Sequence, residues 1–291
     1  MKIETLVNLI GGELLNSPYI SEVTSFTDDK DNVTRGGCFF VRKSEDIQKA
    51  VKNGAYAIVS QNFENIIDKE IAWIKVDSIE KSIFDIFKYE NLNSKVFYTD
   101  DITLHLIEKM NLNDELIILN STADLLKGLN VNNKLFLTSK KKFCELFSKN
   151  ETLLPEETNI KQQSLFKSIY KDQEINLPFV YKDEFSKAIK FFEENELKYT
   201  LEFELDRFKP EFVDFKFRKV SFGESERVLI LGIKNDRYFF KELNYLIDNT
   251  KHAKTIIVNE ENKSLLKNPF NFAMLVDFEI EFNEKKEEKL F

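Results

Sequence analysis

Short apolar segments alternate with amphipathic helical segments along the first part of the chain. The candidate strands are residues 38–41, 55–59, 72–76, 95–98 and 116–119. Apolar residues at helical spacing lie between most of them, and Gly11-Gly12 follows a first helical segment at the place where glycine commonly ends a helix. Strands separated by helices favour a parallel sheet covered by helices. The sequence therefore predicts an α/β fold.

The second half of the chain gives a less regular pattern. Residues 183–196 predict a helix, and residues 227–232, 239–247 and 254–258 predict a strand, a helix and a strand. The alternating segments 200–206 and 212–220 are typical of half-buried strands, although the first also suits a continuation of the preceding helix. Residues 139–176 are polar and weakly periodic, which predicts a long connection. The charge run 284–289 predicts a solvated tail.

Charge and hydropathy exclude several classes of protein. The 42 Lys and Arg residues against 50 Asp and Glu residues give a net charge of −8, so no global positive field attracts nucleic acid. The 28 Phe residues supply apolar area for a packed core. No run approaches the roughly 18 apolar residues of a membrane helix, and the apolar stretch before Gly11 is short for a secretion signal. We expect a cytoplasmic protein without membrane insertion.

Few residues suit metal binding or nucleophilic catalysis. Cys38 and Cys144 lack C-x-x-C spacing, and His105 and His252 are the only histidines. Residues 223–226 predict a turn rather than a nucleophile motif. The sequence therefore predicts no metal site and identifies no catalytic residue.

The first 93 residues carry a series of motifs in a recognisable order. Gly11-Gly12 is followed by Asp29, by Gly36 before the strand that contains Phe39, and by the segment 52–59, which reads KNGAYAIV. This order resembles the N-terminal, substrate-binding domain of the Mur ligases. These are ATP-dependent enzymes that add amino acids to the UDP-MurNAc precursor of peptidoglycan. The resemblance implies a Mur-ligase-like N-terminal domain followed by a reduced α/β body.

The resemblance also places a candidate ligand pocket. In the family an Asp-Ser-Arg turn lies by the uridine nucleotide, and Asp29, Lys30 and Asp31 stand there in this sequence. An acid in place of the arginine repels a pyrophosphate unless another cation compensates. The candidate pocket residues are Asp29, Lys30, Arg35, Arg42 and Lys43.

The ATP-binding loop of the family is absent. A Mur ligase has a Gly-rich loop ending in Gly-Lys-Thr or Gly-Lys-Ser after its N-terminal domain, because backbone N–H groups and the lysine hold ATP phosphates. Tyr98, Thr99, Asp100 and Asp101 occupy that position here, and no glycine in the chain precedes a lysine. The paired acids suit the start of a helix as caps, with metal binding as the alternative. We expect neither ATP nor magnesium as a cofactor.

The resemblance extends weakly into the rest of the chain. Residues 177–181, the helix after them and Phe208-Lys209-Pro210 resemble the end of a Mur central domain, without its histidine and asparagines. This implies three parts: an N-terminal-like domain over 1–93, a reduced central-domain-like region over 94–222, and a small C-terminal α/β region over 223–291.

Three functions follow as hypotheses. The first is a non-catalytic Mur-ligase-like protein that binds a peptidoglycan precursor or a partner protein of cell-wall synthesis. The second is an active ATP-dependent UDP-MurNAc-peptide ligase with a divergent nucleotide site. The third is a structural interaction module with no small-molecule ligand.

Overall fold

A computed structural model describes residues 1–131, 134–259, 266 and 270–276. The chain divides into two compact units. Unit 1 contains residues 1–104 and 113–153, and unit 2 contains residues 105–112 and the described residues from 154 onward. The three-part division from the sequence stays a prediction, and the charge run 284–289 lies outside the described residues.

Unit 1 begins with a five-stranded sheet. Its elements are α1 (Ile3–Ile10), β1 (Glu13–Leu14), β2 (Ser25–Thr27), β3 (Gly37–Phe40), α2 (Ile47–Lys52), β4 (Ala55–Ser60), β5 (Ala72–Lys75) and α3 (Ile79–Glu90). The strand order is β1-β5-β4-β3-β2, and only β1 is antiparallel to its neighbour. Successive side chains of β3, such as Phe39 and Phe40, enter different hydrophobic clusters, so both faces of the sheet are buried. This explains the continuous apolar runs in the sequence.

A second sheet completes unit 1. Its elements are β6 (Lys95–Tyr98), α4 (Asp101–Met110), β7 (Leu116–Ile118), α5 (Thr122–Leu129), β8 (Leu135–Thr138), α6 (Lys141–Cys144) and β9 (Lys149–Thr152). Of these, α4 begins in unit 1, and its residues from 105 onward belong to unit 2. The four strands are parallel, in the order β7-β8-β6-β9. Phe87 of α3, Phe136 of β8 and Phe147, which follows α6, pack together with ring centroids 5.0 to 5.6 Å apart. The predicted α/β class is confirmed.

Unit 2 combines a small antiparallel sheet with a mixed one. Its elements are β10 (Ile160–Gln162), β11 (Ser168–Tyr170), β12 (Gln173–Ile175), α7 (Lys182–Glu194), β13 (Lys209–Phe212), β14 (Val228–Ile233), α8 (Phe239–Asn249), β15 (Thr255–Val258) and β16 (Phe272–Val276). Strands β10 to β12 form an antiparallel sheet in chain order. The other sheet has the order β13-β14-β16-β15, in which only β13 is antiparallel. In the described part of the chain no helix is long and apolar enough to cross a bilayer.

The long connection predicted over residues 139–176 is wrong. That stretch contains α6, β9 and the whole β10–β12 sheet. Lys171 and Asp172, which join β11 to β12, both have positive φ angles, 49° and 61°. Two positive φ values are typical of a type I′ hairpin turn, which usually shows itself in sequence as Asn-Gly or Asp-Gly. The hairpin was missed because its turn contains no glycine.

Two predicted strands of unit 2 are also wrong. Residues 200–206 form neither strand nor helix, although Phe203 and Leu205 are buried. Residues 212–220 fold mostly as a turn, and the strand lies earlier, at β13. The Asp214 carboxylate accepts hydrogen bonds from the Lys216 and Arg218 backbone N–H groups, which closes the turn. An alternating pattern does not distinguish a strand from a turn stabilised by one aspartate.

Candidate functional site

Polar side chains collect at the carboxyl edge of the five-stranded sheet in unit 1. Strands β2 to β5 are parallel, so the residues that follow them meet at one edge, where α/β proteins commonly bind ligands. Arg42 follows β3, and Asp28 and Glu80 follow β2 and β5. Glu64 follows β4 and accepts hydrogen bonds from the Ser44 and Ser60 hydroxyls at 2.9 and 3.1 Å.

Arg42 is paired with two carboxylates at this edge. Its Nε lies 3.1 Å from Asp28 Oδ2, and its Nη1 donates to Glu80 Oε1. The hydrogen bond from Arg42 holds the pKa of Glu80 below its usual value. Lys43 is exposed and makes no ion pair with any described residue. An anion arriving here meets Lys43 as a free cation, whereas Arg42 has to leave a carboxylate first.

Asp29 and Lys30 belong to a short 3-10 turn that runs beside α2. The Asp29 carboxylate accepts from the Asp31 backbone N–H and from Asn32 Nδ2, both at 2.9 Å. Lys30 pairs with Asp46, a hydrogen bond that raises the pKa of Lys30, and Lys49 pairs with Asp31 and lowers its pKa. These contacts are part of how the turn folds.

Arg35 lies at the opposite edge of the sheet. It precedes β3, whereas Arg42 follows it, and residues on the two sides of one strand lie at opposite edges. Arg35 Nε donates to the Tyr56 hydroxyl, at the start of β4, over 3.2 Å. The five candidate pocket residues therefore do not form one cluster, and their ligand binding stays a prediction.

The turn between β6 and α4 holds the residues that the family resemblance aligned with a phosphate-binding loop. The Asp100 carboxylate accepts from the Thr103 backbone N–H at 2.9 Å and from the Thr103 hydroxyl at 2.7 Å. Asp100 thus caps α4, as the capping interpretation predicted. The carboxylate fills the position at which a helix N-terminus binds an anion.

The residues before Asp100 tie this turn into the sheet. Tyr98 ends β6 and pairs with Thr138 and Thr152 in the neighbouring strands. The buried Thr99 donates its backbone N–H to the Thr138 carbonyl over 3.0 Å. The chain here follows the sheet and leaves no glycine-rich loop.

Removing the cap tests this description. We expect Asp100→Ala to lower the free energy of unfolding by about 1 kcal/mol, because the Thr103 N–H loses its acceptor. Urea denaturation followed by circular dichroism measures the change. The control is Asp85→Ala within α3, which removes a carboxylate that caps nothing and should alter stability by less than about 0.5 kcal/mol. Equal losses in the two variants would contradict a capping role.

The similarity of this chain to known proteins is found in its structure and not in its sequence. No protein-family model matches the sequence, and no curated protein matches it. The fold is similar to that of MurF ligase from Thermotoga maritima, solved in complex with ADP. The TM-score is 0.53 at 10% sequence identity, over 87% of this chain and 93% of that chain.

The chain has a Mur-ligase-like fold. MurF from Acinetobacter baumannii is also similar, with 8% identity over 94% of this chain and 85% of that chain, but its TM-score of 0.49 adds no argument. Identities this low show the fold alone. The resemblance inferred from motifs in the first 93 residues is confirmed at that level.

Unit 2 holds a buried ionic cluster that the sequence analysis missed. Arg207 donates to both oxygens of Glu242 and both oxygens of Asp236, and the Tyr181 hydroxyl also donates to Glu242. The Glu242 side chain is fully buried, and burial raises its pKa. The sequence signal that could have revealed the cluster is Glu242, a glutamate on the apolar face of α8 between Phe239 and Leu246. Through these hydrogen bonds one guanidinium and two carboxylates link four chain segments.

Several cavities open in unit 2. One of about 700 Å³ lies between residues 155–160 and the start of α7, and its lining is mostly polar. A smaller one, about 210 Å³, is lined by Phe166, Pro178 and the segment 204–210. Among the described residues no group of three or more His, Cys, Asp or Glu side chains is arranged to hold a metal ion.

Proposed function

We propose that this protein is a non-catalytic Mur-ligase-like protein that binds a peptidoglycan precursor or a partner protein of cell-wall synthesis. The observation that carries the proposal is the Asp100 cap on α4. A carboxylate stands where an ATP-dependent ligase of this fold needs backbone N–H groups and a lysine for phosphates. Negative charge at that point repels ATP.

In this proposal the precursor binds at the carboxyl edge of the five-stranded sheet. Lys43 supplies a cation there, and Arg42 supplies a second one when Glu80 releases it. Glu80 is about half exposed, and exposed ion pairs contribute only about 0.2–1 kcal/mol, so a phosphate can replace that carboxylate. If a phosphate does not replace the Glu80 carboxylate at Arg42, we expect the protein to bind a partner protein instead of the precursor.

A thermal-shift titration with UDP, UDP-MurNAc-peptide and Mg-ATP tests the proposal. We expect no stabilisation by millimolar Mg-ATP, whereas a ligand present at 100 times its Kd stabilises by about 2.7 kcal/mol. A rise in melting temperature with Mg-ATP, or ligation of an amino acid to the precursor with ATP turnover, would refute a non-catalytic role.

The precursor arm has its own variants. Glu80→Gln should tighten binding of UDP-MurNAc-peptide, because it removes one of the two carboxylates that pair with Arg42, and Arg42→Met should weaken it about tenfold or more. Arg35→Met, at the opposite edge, is the matched control and should change nothing. If the precursor gives no shift with the wild type or with Glu80→Gln, the partner-protein arm is the one that remains.

A further inference from the structure

Aromatic and basic side chains are concentrated in the segment between β13 and β14. This segment spans residues 213–227, and its first ten residues, 213–222, are named the basic loop here and read VDFKFRKVSF; the five residues after them, GESER, contain two acids and one arginine. The basic loop contains three phenylalanines, three basic residues and a single acid, which gives a local charge of +2 in a chain of net charge −8. The loop is therefore opposite in charge to the protein that carries it.

Internal contacts hold the basic loop in one conformation. Asp214 accepts hydrogen bonds from the Lys216 and Arg218 backbone N–H groups at 2.8 and 2.9 Å, and from Arg218 Nε at 2.8 Å. These hydrogen bonds, the one from the Arg218 backbone first, lower the pKa of Asp214. Phe217 faces inward, where its ring stacks on that of Phe270 with centroids 6.3 Å apart. One of the three phenylalanines thus anchors the loop to the core.

The other two phenylalanines are exposed. Phe215 is 68% exposed and Phe222 is 85% exposed, although the Phe222 ring also meets Phe212 edge-on. Beside them, Lys216 Nζ lies 5.4 Å from the Phe215 ring centroid. The Lys219 side chain is 77% exposed, and its nearest carboxylate is that of Glu211, at 3.8 Å. Two rings and two weakly paired ammonium groups therefore face solvent on one preorganised loop.

We propose that the basic loop binds the surface of an anionic lipid bilayer. Phe215 and Phe222 enter the boundary between headgroups and acyl chains, and Lys216 and Lys219 contact the lipid phosphates. Exposed aromatic rings combined with basic residues are the features by which peripheral segments bind anionic membranes. The Glu211 carboxylate, 3.8 Å from Lys219 Nζ, and the Glu224 carboxylate, which accepts from the Ser221 backbone N–H at 2.7 Å, offset part of the attraction at the loop. Charges farther than roughly 8 Å are largely screened at physiological salt, so the more distant acids of the chain contribute little.

A single-stranded nucleic acid is the less suitable partner. Such ligands need a positively charged groove that follows several phosphates along the strand. The loop has two weakly paired cations, since the charge of Arg218 is balanced by Asp214. A bilayer surface needs only exposed rings and a few cations, which the loop provides.

Vesicle sedimentation of the full chain tests the proposal. We expect binding to vesicles that contain phosphatidylglycerol, no binding to pure phosphatidylcholine, and weakening at about 0.5 M NaCl, where the Debye length falls below roughly 5 Å. Phe215→Ser combined with Phe222→Ser should reduce the partition coefficient about tenfold or more. Lys216→Gln combined with Lys219→Gln should reduce it at least about fivefold.

Phe63→Ser is the matched control for the phenylalanine variants. Phe63 is 70% exposed and has Lys75 Nζ 4.2 Å from its ring centroid, but it belongs to unit 1. We expect this variant to bind vesicles like the wild type. An equal loss in Phe63→Ser and in the double phenylalanine variant would overturn the assignment to the basic loop.

A spectroscopic measurement checks insertion directly. The chain has one tryptophan, Trp73, which is buried, so Phe215→Trp adds a reporter at the tip of the loop. We expect brominated lipid to quench the emission of this variant and to leave wild-type emission unchanged. Absence of quenching, absence of binding to anionic vesicles, or loop-dependent binding to oligothymidylate instead of vesicles would overturn the proposal. These outcomes do not affect the ATP and precursor titrations, which test unit 1.

Discussion

Replacing Arg207 with methionine is expected to lower the free energy of unfolding of unit 2 by about 3–5 kcal/mol. The substitution keeps an apolar side chain of similar length but leaves the fully buried Glu242 carboxylate without its cation. Breaking a buried ion pair from one side costs this much because the remaining charge is uncompensated. Urea denaturation followed by circular dichroism measures the loss. Trp73 fluorescence reports unit 1 separately and should not change.

The loss in Arg207→Met should depend on pH. Burial already raises the pKa of Glu242 above 4.5, and removal of the guanidinium raises it further. The folded state then holds the proton more tightly than the unfolded state, so stability is present below about pH 4.5 and is lost as the pH rises through the folded pKa. We expect the variant to be closer to wild type at pH 5 than at pH 8.

Lys209→Met provides the control for this experiment. Lys209 pairs with Glu204 at 3.1 Å, and both side chains are at least half exposed. An exposed pair contributes about 0.2–1 kcal/mol, so the control should lose no more than that, with little dependence on pH. Similar losses in Arg207→Met and Lys209→Met would show that Glu242 is not the source of the effect.

Gly232→Ala is expected to destabilise unit 2 by about 2–5 kcal/mol. Gly232 lies in β14 with a φ of +74°, and an added Cβ would lie 2.1 Å from the Asp206 carbonyl oxygen and 2.9 Å from the Arg207 Cα. A left-handed conformation costs a residue with a Cβ about 1–2 kcal/mol, and forcing atoms into a filled space adds about 1–3 kcal/mol. Because the obstructing atoms are backbone atoms next to Arg207, the alanine also displaces the ionic cluster. Urea denaturation measures the loss.

Gly11→Ala separates the two costs. Gly11 caps α1 with a φ of +59°, and its added Cβ would meet no atom within 4 Å. The free energy of unfolding of this variant should therefore fall only by the cost of the left-handed conformation, about 1–2 kcal/mol. If both glycine variants lose the same amount, the close approach of residues 206 and 207 to β14 is wrong.

The sequence predicted those elements whose pattern comes from burial on one or both faces. Strands β3 to β5 and β14 are continuous apolar runs, and α3 and α7 repeat apolar residues at helical spacing. The sequence did not predict the β10–β12 sheet, because few of its side chains are buried and its Lys171–Asp172 turn lacks glycine. The turn at Asp214 was predicted as a strand, because apolar and polar residues can alternate in a turn as well as in a strand.

The helix cap in the β6–α4 turn was also predictable from the sequence alone. The absence of a Gly-Lys pair and the presence of Asp100 at a helix start predict a cap without any knowledge of the sheet, since capping is a contact within three residues. The structure adds the partner, Thr103, and the distances.

Only the tertiary structure decided what each arginine does. Arg35 and Arg42 are close in sequence, but β3 separates them, so they lie at opposite edges of the sheet. Asp28 and Glu80 reach Arg42 because parallel strands bring the segments that follow them to one edge. Asp236 and Glu242 reach Arg207 because β13, which Arg207 precedes, is antiparallel to β14, which Asp236 follows. Sequence determines local conformation through burial patterns and short-range hydrogen bonds. Charge pairing between distant segments depends on strand order, and no local pattern specifies that order.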